Sequence, residues 1–145
     1  MENNIIEKLK DAQCKVTRQR IEVGRLLQLH AGQHLSVEDL HAIMLKENAS
    51  IGLTTIYRTL DLFETVGIVQ KIDFGDGRIR YEIKNENPDK HHHHLICIGC
   101  GKVTEFEDKL MDEREVHIAK LNKFKTTEHH IKFLGYCWEC QCAKK

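Results

Sequence analysis

Apolar residues recur at helical spacing along the first 65 positions of this chain. Ile5, Ile6, Leu9 and Ala12 mark one helix, and Ile21, Val23, Leu26 and Leu27 mark a second, for which Thr17 is the expected N-cap. Ser36, followed three residues later by Asp39, has the form of a capping box with a shortened acid. It opens a third helix whose apolar face is Val37, Leu40, Ile43 and Met44. Gly52 interrupts the pattern. Thr54 or Thr55 can cap a fourth helix that turns Ile56, Leu60 and Phe63 inward and Tyr57 and Arg58 outward, with Gly67 placed where a left-handed residue ends a helix. From Ile68 the period changes to two: residues 68–74 and 78–83 alternate as strands around Gly75-Asp76-Gly77, a hairpin signal. Helices followed by a two-stranded ribbon make the winged form of a helix-turn-helix.

Residues 85–90 are polar and contain the only proline, Pro88, so a boundary is expected there: a first domain at 1–84, a hinge at 85–90 and a second domain at 91–145. In the second half, residues 95–98 and 103–106 read as short strands joined across a Cys-x-x-Cys turn, 110–121 as a helix, and Ile131, Phe133 and Leu134 as a strand running into Cys137. The expected class is α+β, an N-terminal winged helix-turn-helix DNA-binding domain and a small C-terminal α/β dimerisation domain with a four-cysteine zinc site.

The zinc expectation comes from two Cys-x-x-Cys pairs, Cys97/Cys100 and Cys137/Cys140, separated by 36 residues. Each pair sets two sulfurs on one side of an ion, and four thiolates close a tetrahedral structural zinc. Disulfides and scattered buried thiols are the alternatives. No apolar stretch approaches the roughly 20 residues that span a bilayer, so the chain reads as cytoplasmic with no membrane partner, and a reducing compartment favours thiolate ligation. Cys14 reads as a small apolar residue at a helix end and Cys142 as the thiol of a mobile tail, close enough to Cys140 for the fourth ligand to shift. A clamp of this kind also suits the size: 145 residues make one ordinary domain or two small ones, and a domain much below about 70 residues buries too little apolar surface unaided.

Four consecutive histidines, His91 to His94, precede the first cysteine pair. Alternation along a strand sends His92 and His94 to one side and His91 and His93 to the other, which makes two imidazole pairs and two potential sites. Glu82 and Glu105 are candidates to complete one pair, Asp112 and His129 the other, and imidazole with carboxylate suits iron, manganese or zinc. Taken singly, each of these residues, like His30, His34, His41, His117 and His130, reads more readily as a solvated side chain than as a ligand, and the run itself can be read as a solvated loop.

Charge does not announce nucleic acid. There are 22 basic and 22 acidic residues, with 12 of each sign in residues 1–84 and 10 of each in the rest. DNA contact therefore rests on a local patch, Lys15, Arg18, Arg20 and Arg25 with Arg58 further on, and on the helix bearing Tyr57 and Arg58. In a winged helix that element is the reading helix, where an aromatic edge meets thymine methyls and an arginine reaches phosphate or guanine.

Together these blocks resemble the ferric uptake regulator (Fur) family of metal-responsive bacterial repressors. The resemblance covers nearly the whole chain: Leu9-Lys10-Asp11-Ala12 leading to Lys15-Val16-Thr17 and Arg20; His34-Leu35-Ser36-Val37-Glu38-Asp39-Leu40; Gly52-Leu53-Thr54-Thr55-Ile56-Tyr57-Arg58-Thr59-Leu60; the block from His91 to Cys100 with Gly101-Lys102-Val103; and Cys137/Cys140. It implies a homodimer whose winged helices bind double-stranded DNA at an inverted-repeat operator, with the C-terminal domain serving dimerisation. It implies structural Zn2+ on Cys97, Cys100, Cys137 and Cys140. A regulatory site for Fe2+, Mn2+ or Zn2+ maps onto His34, Glu82, His92, His94 and Glu105, and a second site in the dimerisation domain onto His91, His93, Asp112 and His129. Lys15, Arg20, Thr55, Tyr57 and Arg58 map onto the DNA-contacting positions.

Within the family, glutamate at 82 and 105 is similar to iron-sensing members, where peroxide sensors typically carry aspartate. His93 stands where many iron-type members have aspartate, a feature also met in peroxide sensors. Zinc sensors often recruit a further cysteine, and none lies between Cys14 and Cys97. The expectation is an iron-sensing repressor of iron uptake genes, with a peroxide-sensing repressor or a zinc uptake regulator as alternatives. A metalloenzyme or a plain zinc-binding module is disfavoured: there is no His-Glu-x-x-His helix, and neither rival requires a helix like that of Tyr57 and Arg58.

Overall fold

The computed structural model describes residues 2–84, 93–127 and 129–143, and the chain divides into two compact units, Met1–Asn85 and Glu86–Lys145. In the first, α1 (Glu2–Asp11), α2 (Arg18–Leu29), α3 (Val37–Lys46) and α4 (Leu53–Thr65) lead into an antiparallel hairpin of β1 (Val69–Asp73) and β2 (Ile79–Ile83).

Local chemistry explains most of the boundaries. Thr17 accepts from the backbone N–H of Arg20 at 3.3 Å and starts α2. Ser36 and Asp39 form a complete reciprocal capping box on α3, each side chain accepting from the other's backbone N–H. The expected threonine cap of α4 is not formed. Gly52 occupies the N-cap without a side-chain bond, and its carbonyl already accepts from Ile56 N–H, so the helical ladder begins ahead of Thr54 and Thr55. At the other end Gly67 takes φ +78°, where a side chain would be strained.

Leu9, Val23, Leu26, Leu40, Met44, Ile56, Leu60 and Phe63 are completely buried and form one continuous core. Replacing any of the leucines by alanine is expected to cost about 2–5 kcal/mol. One further pairing shapes the later argument: Leu35 and Tyr81 exchange both backbone hydrogen bonds, at 3.2 and 2.8 Å, as an isolated antiparallel bridge that ties the entry of α3 to β2.

The second unit contains β3 (His93–Cys97), β4 (Val103–Phe106), α5 (Lys109–Leu121), β5 (Lys132–Gly135) and the short α6 (Trp138–Ala143). Its sheet has the order β4-β3-β5, with β3 antiparallel to β4 and parallel to β5. β3 starts two residues before the expected strand, because the backbone of His94 is held by Ile131 O and pairs with Glu105. Cys142 is not on an irregular tail. It lies in α6, and its side chain is exposed.

Buried apolar side chains are scarce in this unit. Ile96 and Cys97 are buried, while α5 buries none of its side chains among the described residues. A unit of this size with so small a core needs other restraints. Among the described residues no helix is long and apolar enough to cross a membrane.

Candidate metal centres and nucleic-acid face

Cys97 ends β3, Cys100 closes the tight turn that follows, Cys137 comes two residues after the end of β5, and Cys140 sits on α6. The four sulfurs all lie within 4.8 Å of one another, and Cys100 Sγ and Cys137 Sγ are 3.7 Å apart. A zinc tetrahedron with bonds of about 2.3 Å has sulfur–sulfur edges of about 3.8 Å, so the quartet fits the ion. The backbone N–H groups of Cys137 and Cys100 donate to Cys97 Sγ at 3.3 and 3.5 Å. These donors stabilise the thiolate and bring the Cys97 thiol down to about 6. Cys140, facing the sulfurs of Cys97 and Cys137, is pushed up to about 12. Four thiolates repel each other unless a cation is shared among them.

Gly99 makes the first turn possible: a Cβ there would stand 3.0 Å from Cys140 Sγ and 3.3 Å from its Cβ. Cys142 is two residues beyond Cys140 on a helix, roughly 200° around its axis, and takes no part.

His93 and His94 point to opposite faces of β3, as strand alternation requires. His93 is fully buried, and on its side lie Asp112 of α5 and His129. Asp112 Oδ1 is 3.9 Å from His93 Nε2 and 3.8 Å from His129 Nε2. Both ring nitrogens of His93 and Asp112 Oδ1 are buried without a hydrogen-bond partner among the described residues. Each such group costs about 1–3 kcal/mol unless something binds it. Two imidazoles and a carboxylate converging on one point are the donor set of a divalent transition metal, and the residues present fit one.

His94 faces the other way, paired directly across the strands with Glu105, and the two side chains approach to 3.9 Å. In the first unit, His34 is buried and its Nε2 lies 3.0 Å from Glu82 Oε2. The other carboxylate oxygen of Glu82 accepts from Gln70 Nε2 across the β1–β2 hairpin. Each unit thus carries its own imidazole–carboxylate pair. His91 and His92, and the hinge expected at 85–90, lie outside the described residues.

On the first unit, α4 exposes Tyr57 and Arg58, and Thr55 is half-buried in its first turn. The Tyr57 hydroxyl donates to Glu38 Oε1 at 3.2 Å, which raises its pKa. Lys15 is exposed, and its carbonyl accepts from the Arg20 guanidinium, which stiffens the α1–α2 loop. Arg25 leaves the expected basic patch. Its guanidinium is bidentate on Glu22 at 3.2 and 2.6 Å and reaches Glu47 at 2.6 Å, so its charge is already neutralised.

The ferric uptake regulator family model matches residues 11–134, which include α4, the Cys97/Cys100 pair and the His93 cluster. The chain belongs to the ferric uptake regulator family. The ferric uptake regulation protein of Bacillus subtilis (strain 168) is 41% identical over 143 residues, covering 97% of this chain and 96% of its own. Among solved structures, the Vibrio cholerae ferric uptake regulator superposes with a TM-score of 0.79 at 36% identity, over 90% of this chain and 98% of its own. The Helicobacter pylori regulator, described as having three functional metal binding sites, gives 0.79 at 31% identity, over 97% and 94%. As a family member the chain is a metal-responsive regulator.

Two neighbours of these candidate sites escaped the sequence reading. Glu115 Oε2 lies 2.6 Å from His129 Nδ1, and its signal was its place one turn after Asp112 on α5. Gln70 contacts Glu82, and counting outward from Asp76 at the hairpin centre pairs the two positions.

Proposed function

We propose that the protein is a metal-dependent, DNA-binding transcriptional repressor of iron uptake genes, acting in the cytoplasm as a homodimer on an inverted-repeat operator. The observation that supports this most directly is the family match across residues 11–134. In this reading Cys97, Cys100, Cys137 and Cys140 hold structural zinc, which would supply the second unit with the restraint its small core lacks. His34, Glu82, His92, His94 and Glu105 take the sensed metal, and His91, His93, Asp112 and His129 a second ion. Occupancy of the sensing site favours the operator-binding form of the protein. Operator binding and metal binding then strengthen each other equally.

The dimer reading draws on the second unit's surface. Leu110, Leu121, Phe124 and Trp138 are 69%, 70%, 69% and 75% exposed, an apolar display that a second copy would cover. For DNA, Tyr57 and Arg58 face outward on α4 while Lys15, Arg20 and Thr55 supply backbone contacts.

Glutamate at 82 and 105 supports iron as the sensed metal. A second reading, a peroxide-sensing repressor of the same family, is supported by histidine rather than aspartate at position 93, and a zinc uptake regulator is the remaining alternative. Gel-shift titration of the operator with iron, manganese and zinc in turn, before and after mild peroxide, separates the three. Iron-dependent, peroxide-resistant binding is expected. Equal binding by the loaded and metal-free protein would remove the switch altogether.

A further inference from the structure

Glu38 and Tyr57 come from different helices, 19 positions apart in the chain, and meet on the exposed side of the first unit, where the Tyr57 hydroxyl donates to Glu38 Oε1 at 3.2 Å. Among the described residues this is the one hydrogen bond that either side chain makes, and no lysine or arginine pairs with the Glu38 carboxylate.

The carboxylate end of the contact is the firmer one. Glu38 lies in the first turn of α3, inside the Ser36–Asp39 capping box, and the nearby Leu35 is bonded twice to Tyr81 of β2. The ring end is looser. α4 turns Ile56, Thr59, Leu60 and Phe63 into the core and leaves Tyr57 44% exposed. Its ring borders an open cleft of about 660 Å³ that Asp61, Lys71 and Arg78 also line. The cleft gives the ring room to swing, and Glu38 restrains it.

A glutamate in the first turn of a helix has an ordinary use, which is to face the positive end of the helix dipole. On a face that meets DNA the same charge repels phosphates. Neither effect requires a tyrosine hydroxyl on the carboxylate. The contact does constrain what Tyr57 can offer: with its proton committed to Glu38, the phenol presents only lone pairs outward, so toward a base edge it accepts and does not donate. A side chain ordered before binding also loses less freedom on the duplex.

We propose that Glu38 is the positioning residue of the α4 reading face: it fixes the ring orientation and hydrogen-bond polarity of Tyr57, and thereby the base preference where Tyr57 reads. The proposal rests on the reading of α4 as the DNA-contacting helix.

The test uses full-length protein loaded with zinc and manganese(II). Its probe is a duplex enriched by the parent protein from a randomised library, together with the single base-pair variants of that duplex. Fluorescence anisotropy over a range of salt compares the parent with Glu38→Ala, Glu38→Gln, Tyr57→Phe and the double variant E38A/Y57F. Glu38→Ala and Tyr57→Phe are each expected to cut discrimination at the same base pairs by about three- to tenfold, the worth of one hydrogen bond, and the double variant no further. E38Q, whose amide oxygen still accepts, should keep most of the discrimination. A carboxylate acting through charge alone gives another pattern: E38A and E38Q tighten binding to every duplex alike, change its salt dependence equally, and add to the effect of Tyr57→Phe. That pattern overturns the proposal, and so does unchanged discrimination in E38A.

Two further measurements keep the readings apart. In DNA-free protein the Tyr57 phenol, raised above its ordinary pKa by the Glu38 hydrogen bond, should titrate lower in E38A, read from the NMR signal of a labelled tyrosine ring carbon. An unmoved titration rejects the contact itself. If Tyr57→Ala binds the duplex as tightly as the parent, the reading of α4 at this position is wrong, whereas weakening in Tyr57→Ala with no loss of discrimination in E38A rejects Glu38 alone.

Discussion

His34 Nε2 and Glu82 Oε2 lie 3.0 Å apart because the residues beside them, Leu35 and Tyr81, are locked together by two backbone hydrogen bonds. The bridge sets a histidine preceding α3 against a glutamate on β2, 48 positions later in the chain. Gln70 then holds the second oxygen of Glu82 from β1. A buried imidazole is thus aimed by backbone pairing, which tolerates little movement.

If this pair belongs to the sensing site, His34→Ala should abolish metal-dependent operator binding while leaving the fold intact. Gln70→Leu, which frees Glu82 without touching His34, should raise the metal concentration needed by about tenfold. Gel-shift titration with parallel circular dichroism reads both. Unchanged metal dependence in His34→Ala would remove His34 from the ligand set.

Loss of the sulfur that ends β3 should be far more damaging. Cys97 accepts two backbone N–H bonds as well as serving as a thiolate. Cys97→Ser should therefore release zinc and dimerisation together, with structural zinc worth on the order of 10–16 kcal/mol in small domains. Native mass spectrometry that found a full complement of zinc in a stable dimer would contradict the structural role.

DNA contacts should separate along the line drawn by the ion pairs. Arg58→Ala and Tyr57→Ala are each expected to weaken operator binding by about 1–3 kcal/mol. Arg25→Ala, whose guanidinium is occupied by Glu22 and Glu47, should leave affinity and its salt dependence nearly unchanged. Fluorescence anisotropy over a range of salt distinguishes the two groups, and an Arg25 effect as large as that of Arg58 would show that its ion pairs open on the duplex.

At the hairpin tip Arg80 is almost wholly buried, bidentate on Asp76 at 3.1 and 2.7 Å, and its guanidinium lies over the Phe74 ring. Phe74 in turn meets the His34 ring edge-on. Asp76→Ala strands a buried cation and should cost about 3 kcal/mol, whereas replacing both partners with apolar residues should cost less. Hydrogen bonds from Arg80 hold the Asp76 carboxyl below its usual value. The pair's contribution is therefore complete above the unfolded carboxylate pKa and is lost as pH falls through the folded one. Thermal melts of metal-free protein from about pH 7 to about pH 3 should show this loss in the parent and not in Asp76→Ala.

Helix and strand positions were legible because periodicity reports burial: Leu9, Leu26, Leu40, Ile56 and Phe63 all reach the core that their spacing foretold. The Ser36–Asp39 box was legible too, being a contact between residues three apart. Its counterpart on α4 was misread, since Thr54 and Thr55 have capping side chains but the ladder starts at Gly52. Arg25 was misread for a different reason. Glu47 reaches it from the end of another helix, a distance that composition does not encode.

What this sequence determined by itself was whatever depends on neighbours along the chain: periodicity, caps, the hairpin centre, and the spacing of the cysteine pairs. Tertiary structure decided which oxygen meets which nitrogen. Parallel pairing of β3 with β5 is what carries Cys137 to Cys97, and the packing of α5 gives His129 one carboxylate at each ring nitrogen. The physical reason is range. Helical and strand preferences are summed over a few adjacent residues, whereas ligand geometry is set to within tenths of an ångström by contacts between segments tens of residues apart.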